Sequence, residues 1–123
     1  MTMTTYLADK FLDHVLGVAA YTAPTTVWAA PHIGNPTDTG AASPAAETTR
    51  KAVSFAAASG KSSSATGTPI SWTGLAATET WTHIVFHDAS TGGNPLLYEA
   101  LVAPANVTIG GSADLTSATV TAT

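Results

Sequence analysis

The chain has no cysteine, so disulfides and Cys-ligated zinc are excluded. Charge is scarce as well. Asp, Glu, Lys and Arg make up 10% of the 123 residues, against roughly 25% in an ordinary soluble domain. The only basic residues besides histidine are Lys10, Arg50, Lys51 and Lys61, and the formal net charge is −4. A nucleic-acid binder needs a cluster of cations to displace phosphate counterions, and four scattered ones form no such patch. No stretch approaches the roughly 20 apolar residues of a membrane-spanning helix. The opening Met1-Thr2-Met3-Thr4-Thr5 has no basic region ahead of an apolar one, so no signal peptide is expected. The G-x-S-x-G elbow, the H-E-x-x-H pair and the Walker loop are all missing, as are internal repeats and heptads.

What replaces charge is Thr, Ala, Ser and Gly. The hydrophobic share is an ordinary 45%. A monomer alone in water normally carries more charge than this. The composition therefore predicts a small, neutral surface, much of it packed against neighbours.

The chain is organised around residues 81–102. Trp81 to Phe86 is a β-branched and aromatic run. Ala89 to Pro95 collects Ser, Thr, Gly, Gly, Asn and Pro, which supply turn dihedrals and bar a helix. The return run alternates, with Leu96, Tyr98, Ala100 and Val102 on one side and Leu97, Glu99 and Leu101 on the other. On the first strand, Ile84 and Phe86 share one face, with Trp81 and Val85 on the other. Both faces are partly apolar, so the hairpin needs cover on two sides from a sheet, a helix or another subunit.

Ahead of it, Thr4 or Thr5 can cap a helix over residues 5–16. Leu7, Phe11 and Val15 recur every four residues, with Ala8, Leu12 and Leu16 beside them. Asp9, Lys10, Asp13 and His14 lie opposite. Gly17 suits the left-handed end. Twelve residues are marginal as a free helix, so this one must dock, and the two-sided hairpin is its candidate site. Thr25 to Ala30 reads as a strand closed by Pro31. Residues 31–47 read as a long loop, a length usually functional or mobile, and a place for an interaction surface or a clasp on a neighbour. Arg50 to Ala57 is a strand with Val53 and Phe55 on one side. Gly60 to Gly67 reads as a Ser-rich hairpin loop. Thr68 to Thr73 is a strand with Ile70 and Trp72 together and Pro69 at its start. Val107 and Ile109 share one face of a short strand. The tail, Leu115 to Ala122, is β-like, and the parity change between Leu115 and Val120 calls for a bulge.

These elements predict one domain over residues 1–123, mostly β: an antiparallel β-sandwich of about six to seven strands with one N-terminal α-helix. Residues 1–17 form the docking helix, and 18–123 form the sandwich with its long loop near 31–47.

Candidate chemistry is thin. His83 and His87 share a strand face but lie about 13 Å apart along it, too far to bind one metal. A ring of histidines from symmetry mates is the remaining metal arrangement, and it is not favoured. Asp13-His14 among many serines does not make a triad. Glu79 and Glu99 read as solvated strand-edge residues rather than paired catalytic carboxylates. Trp28, Trp72 and Trp81 could stack on sugars, but each lies within a strand, where core or subunit contact is the commoner role. The sequon Asn106-Val107-Thr108 reads as chance in a chain so rich in Thr. No catalytic residue, cofactor or metal site is expected.

Four stretches together resemble a family of small virion proteins of tailed bacteriophages. They are Thr5 to Gly17, Ala20 to Val27, Ala52-Val53-Ser54-Phe55 and Thr82 to Asn94, and in that order they span nearly the whole chain. Members of that family are often labelled tail-fibre or minor-tail proteins, and similar ones are placed on capsid surfaces. The family continues an apolar strand after Thr25-Thr26-Val27, whereas Pro31 interrupts it here. The resemblance implies a non-enzymatic structural protein of the virion, assembled in the host cytoplasm, either on the tail or a fibre or decorating the capsid. Expected partners are further copies of the chain and larger virion proteins such as major capsid or tail proteins, with no nucleic acid and no membrane. Leu7, Phe11, Val15, Leu97, Leu101 and Trp28 are the candidate interaction residues. The second reading is a carbohydrate-binding module that attaches to a host-surface glycan.

Overall fold

A computed structural model describes residues 1–122. In chain order the elements are β1 (Thr2–Met3), α1 (Thr5–Val15), β2 (Val27–His32), β3 (Lys51–Phe55), β4 (Ser62–Thr66), β5 (Ile70–Thr73), β6 (Glu79–His87), β7 (Pro95–Val107), β8 (Ser112–Leu115) and β9 (Thr119–Thr121). Seven strands form one antiparallel sheet in the order β1-β7-β6-β2-β3-β4-β9, and β5 pairs with β8 in a second, small sheet. The protein is mostly β and sandwich-like, with one N-terminal helix, as the periodicities predict.

The hairpin β6–β7 is central, and both of its faces are covered along β6 and the start of β7, while Val102 farther along β7 is fully exposed. Register decides which side chain goes where. Ala29 pairs with Phe86 and Pro31 with Ile84, so these four share one face. That inner face, with Val53 and Trp81, packs on Ile70, Trp72 and Leu75 from the β5–β8 side, forming the core. Trp72 and Trp81 meet edge to face, with ring centroids 5.7 Å apart. The ladder is irregular between Trp81 and His83, and Trp81 joins Ile84 and Phe86 in the core rather than sharing a face with Val85.

The outer face carries Ala30, His32, Val85, His87 and Leu96. Its cover is the long loop, not the helix. Residues 33–45 fold back on the sheet. Ile33 N donates to Ser43 O at 3.0 Å, Ala42 N to Pro36 O at 3.2 Å and Ala45 N to Pro31 O at 3.3 Å. Pro36 is fully buried, and Gly40 lies so close to Pro95 that a Cβ would overlap it. The segment is therefore an ordered flap.

Five expectations change. The strand continues through Pro31 to His32, so the loop begins at residue 33 rather than 31. Pro31 is tolerated because β3 pairs only as far as Ala29. Its missing amide thus faces no ladder partner. Residues 60–67 are mostly the strand β4. Its turn is two residues, Gly60 and Lys61, both with positive φ of 56° and 67°, the hairpin geometry of a primed turn. Val107 ends the thirteen-residue β7, and Ile109 is exposed in the following turn. Leu115 and Val120 lie in different sheets, so their parity change reflects a break between β8 and β9 rather than a bulge. The nine strands among the described residues exceed the six or seven expected because β1, β4 and the divided tail carry little hydrophobic periodicity.

Candidate functional site

Two features of the surface go beyond what the fold requires. The first is α1. Thr4 caps it: its hydroxyl accepts from Leu7 N at 3.3 Å and donates to Pro95 O at 2.7 Å. The cap also ties the helix to the sheet, since Thr4 N donates to Leu96 O at 3.0 Å. Thr5 N donates to Asp38 of the flap at 2.6 Å. The helix runs to Val15 with Leu16 as its C-cap, and Gly17 follows with a φ of 75°.

Only its start is docked. No residue of α1 is buried. Leu7 is half-buried, but Phe11, Leu12, Val15, Leu16 and Val18 are 52%, 51%, 59%, 71% and 74% exposed. The apolar stripe read from the sequence is present, but it faces solvent instead of the hairpin. Five such side chains expose on the order of 500 Å², the scale of a patch that is often functional.

The other predicted interaction residues lie elsewhere. Leu97 and Leu101 are half-buried and pack against the core on the inner face, away from the flap to which α1 is tied. Trp28 is half-buried on the outer face, in register with His87. Thus the six divide among α1 (Leu7, Phe11, Val15), β7 (Leu97, Leu101) and β2 (Trp28), and do not form one surface.

The second feature is a cleft of about 350 Å³ on the outer face. Its floor is β2 and the end of β6, one wall is the flap with residues 44–48, and the other is the 92–95 turn. Arg50 and His32 pin the walls. Arg50 Nη1 donates to Ala89 O at 2.7 Å and Gly92 O at 2.8 Å. His32 Nδ1 bonds Ala42 O at 2.9 Å; a carbonyl only accepts, so that nitrogen carries the proton. Asp88 closes the turn by accepting from Asn94 N at 2.7 Å and Asn94 Nδ2 at 3.0 Å.

His87 is 5% exposed, and its Nδ1 is buried with no hydrogen-bond partner. Burial, with Arg50 and His32 nearby, lowers its pKa to about 4, and Asp88 opposes this only in part. His32 is also pushed below its ordinary value, mainly by burial. Both imidazoles are therefore neutral at neutral pH.

Sequence reasoning weighed His83 and His87 and passed over His32 and Arg50. His32 is the cross-strand partner of His83, a neighbour that spacing along one strand cannot reveal. Among the described residues no three His, Asp or Glu side chains are grouped to hold a metal ion. Glu79 is no solvated edge residue. Its carboxylate accepts from Trp81 Nε1 at 3.0 Å and Ala46 N at 3.0 Å, fastening the chain after the flap to the core. Glu99 pairs instead with the Met1 amine at 3.2 Å. Trp72 and Trp81 are 2% and 4% exposed, so neither offers a face to a sugar.

These features define a small β-sandwich-like protein whose one helix turns its apolar side outward. Residues 2–123 match the family model described as podophage GP4 fiber I protein gp80, and the chain belongs to that family. It is a phage virion protein of the tail-fibre kind. No curated protein matches it significantly.

Proposed function

We propose that the chain is a non-enzymatic structural subunit that joins the particle through the outward face of α1. The observation that carries this is the exposed row Phe11, Leu12 and Val15 on a capped helix whose start is fixed to the sheet, continued by exposed Leu16 and Val18 just past its end. An eleven-residue helix gains little from propensity alone. Leaving its apolar side in water makes physical sense when another surface covers it. The occupants we assign are copies of the same chain and larger virion proteins, met during assembly in the host cytoplasm. Family membership favours a tail or fibre position over capsid decoration. A Trp-based glycan site has little support, because two of the three indoles are buried.

The test is incorporation into particles. Phage carrying Phe11→Ser and Leu12→Ser together should contain at least tenfold less of this protein, measured by immunoblot of purified virions, while the isolated variant melts within a few degrees of wild type. Both residues are more than half exposed, so little folding energy depends on them. Full incorporation of the double variant would refute attachment through α1.

A further inference from the structure

We propose that residues 33–45 form an acid-released cover: a proton on the His87 ring lifts the flap and bares Ala30, Val85 and Leu96 on the outer face of the main sheet. The flap can move as a unit. Its base is closed by Ile33 N donating to Ser43 O and Ala45 N donating to Pro31 O. Its tip is held by His32 Nδ1 donating to Ala42 O, by Asp38 accepting from Thr5 N, and by the packing of Pro36 and of Gly40 on Pro95 and Val85. The closed backbone is also strained. Thr37 and Ser43 hold positive φ of 59° and 51°, a region that residues with a Cβ seldom adopt and a β-branched one least of all.

His87 lies beneath this cover. It shares a face with Val85, lines the cleft whose wall is the flap, and is 5% exposed. Its Nδ1 is buried without a hydrogen-bond partner. A protonated imidazole carries a hydrogen on both nitrogens, so charging this ring under the closed flap buries a donor that nothing accepts. The charged groups around it do not compensate. Arg50, just ahead of β3, and His32 of β2 oppose the proton, Asp88 just past β6 favours it only in part, and Glu47 lines the same cleft. Water reaches the ring once the flap lifts, so the open form takes the proton more readily. A ligand that binds one form better shifts the population toward that form, and here the ligand is the proton. Asp38 leaves with the flap, so α1 loses one of the ties at its start. The device needs only the flap and the sheet, and it is independent of the attachment reading.

In the closed form His87 has its pKa lowered to about 4, chiefly by burial, against an ordinary 6.5 once it is hydrated. The ratio of open to closed flap should therefore rise about twentyfold between about pH 7 and pH 5, above the ordinary carboxylate range. Thiol labelling reads this ratio directly, because the chain has no cysteine of its own. Val85→Cys places a fully buried thiol under the flap, and Val53→Cys places one in the inner core. Each full-length variant is reacted with a pyridyl disulfide, and its rate is divided by that of a small free thiol at the same pH. The normalised rate at Val85→Cys should rise about twentyfold from about pH 7 to pH 5, and should exceed that at Val53→Cys by at least about tenfold at both. His87→Leu and His87→Gln, each added to Val85→Cys, should remove most of the rise. A rate at Val85→Cys that does not change with pH would overturn the proposal. So would equal normalised rates at the two cysteines, which would mean that the flap opens only when the whole domain unfolds. A rise that survives in both His87 variants would overturn it as well.

Discussion

Acidification should destabilise this protein through His87 well before the carboxylates titrate. The ring is 5% exposed, its Nδ1 has no partner, and its pKa is lowered to about 4 from an ordinary 6.5. The unfolded chain therefore binds this proton at higher pH than the folded one. Where the unfolded state binds more protons, stability rises with pH. The contribution is complete above about pH 6.5 and is lost as the pH falls toward about 4. From the two pKa values the loss is about 2 kcal/mol between about pH 7 and pH 5, and about 3 kcal/mol by about pH 4. His32, lowered in the same direction, adds to the slope. The groups facing His87 have mixed signs: Arg50 and His32 oppose its protonation and Asp88 favours it. The assay is urea unfolding followed by tryptophan fluorescence at a series of pH values, with His87→Leu alongside. Wild type should lose stability on this schedule, and the variant should lose about 2 kcal/mol less between the same pH values. A flat wild-type profile, an identical slope in the variant, or a His87 ring titrating near 6.5 by NMR would refute the reasoning.

Three further outcomes follow from single contacts. Glu79→Gln weakens bonds to Trp81 Nε1 and Ala46 N that now go to a charged acceptor, and should cost about 1–2 kcal/mol in a urea titration. Gly40→Ala combines a backbone at φ 61° with a Cβ forced against Pro95. It should cost about 1–3 kcal/mol and speed proteolysis within the flap. Phe86→Ala removes a fully buried ring at the centre of the main sheet, stacked edge to face on Phe55 at 5.8 Å. A loss of about 3–5 kcal/mol is expected, and a chemical-denaturation midpoint close to wild type would contradict its central place.

Local pattern carried far on its own. A threonine cap, a four-residue apolar recurrence and a glycine at the end are enough to place α1, because a helix is stabilised by residues within a turn of one another. The alternation in residues 96–102, with apolar residues on both sides, was enough to require cover on both faces of the hairpin, since every residue of a strand presents to one face or the other. The lack of cysteine excluded disulfides and Cys-ligated zinc, and the four matching stretches named a phage structural family that the family match bears out.

What covers each face depended on partners distant in sequence. A loop of Gly, Pro, Asn and Thr shows no periodicity, yet its backbone bonds make it the outer cover, leaving the apolar side of α1 unoccupied. The same distance hid the cleft: His32, Arg50 and His87 are separated along the chain and meet only because β2 pairs with β6 on one side and β3 on the other. Hydrophobic periodicity records which way a side chain points along its own element. Strand register and loop closure decide what it points at, and those are set by the packing of the whole chain.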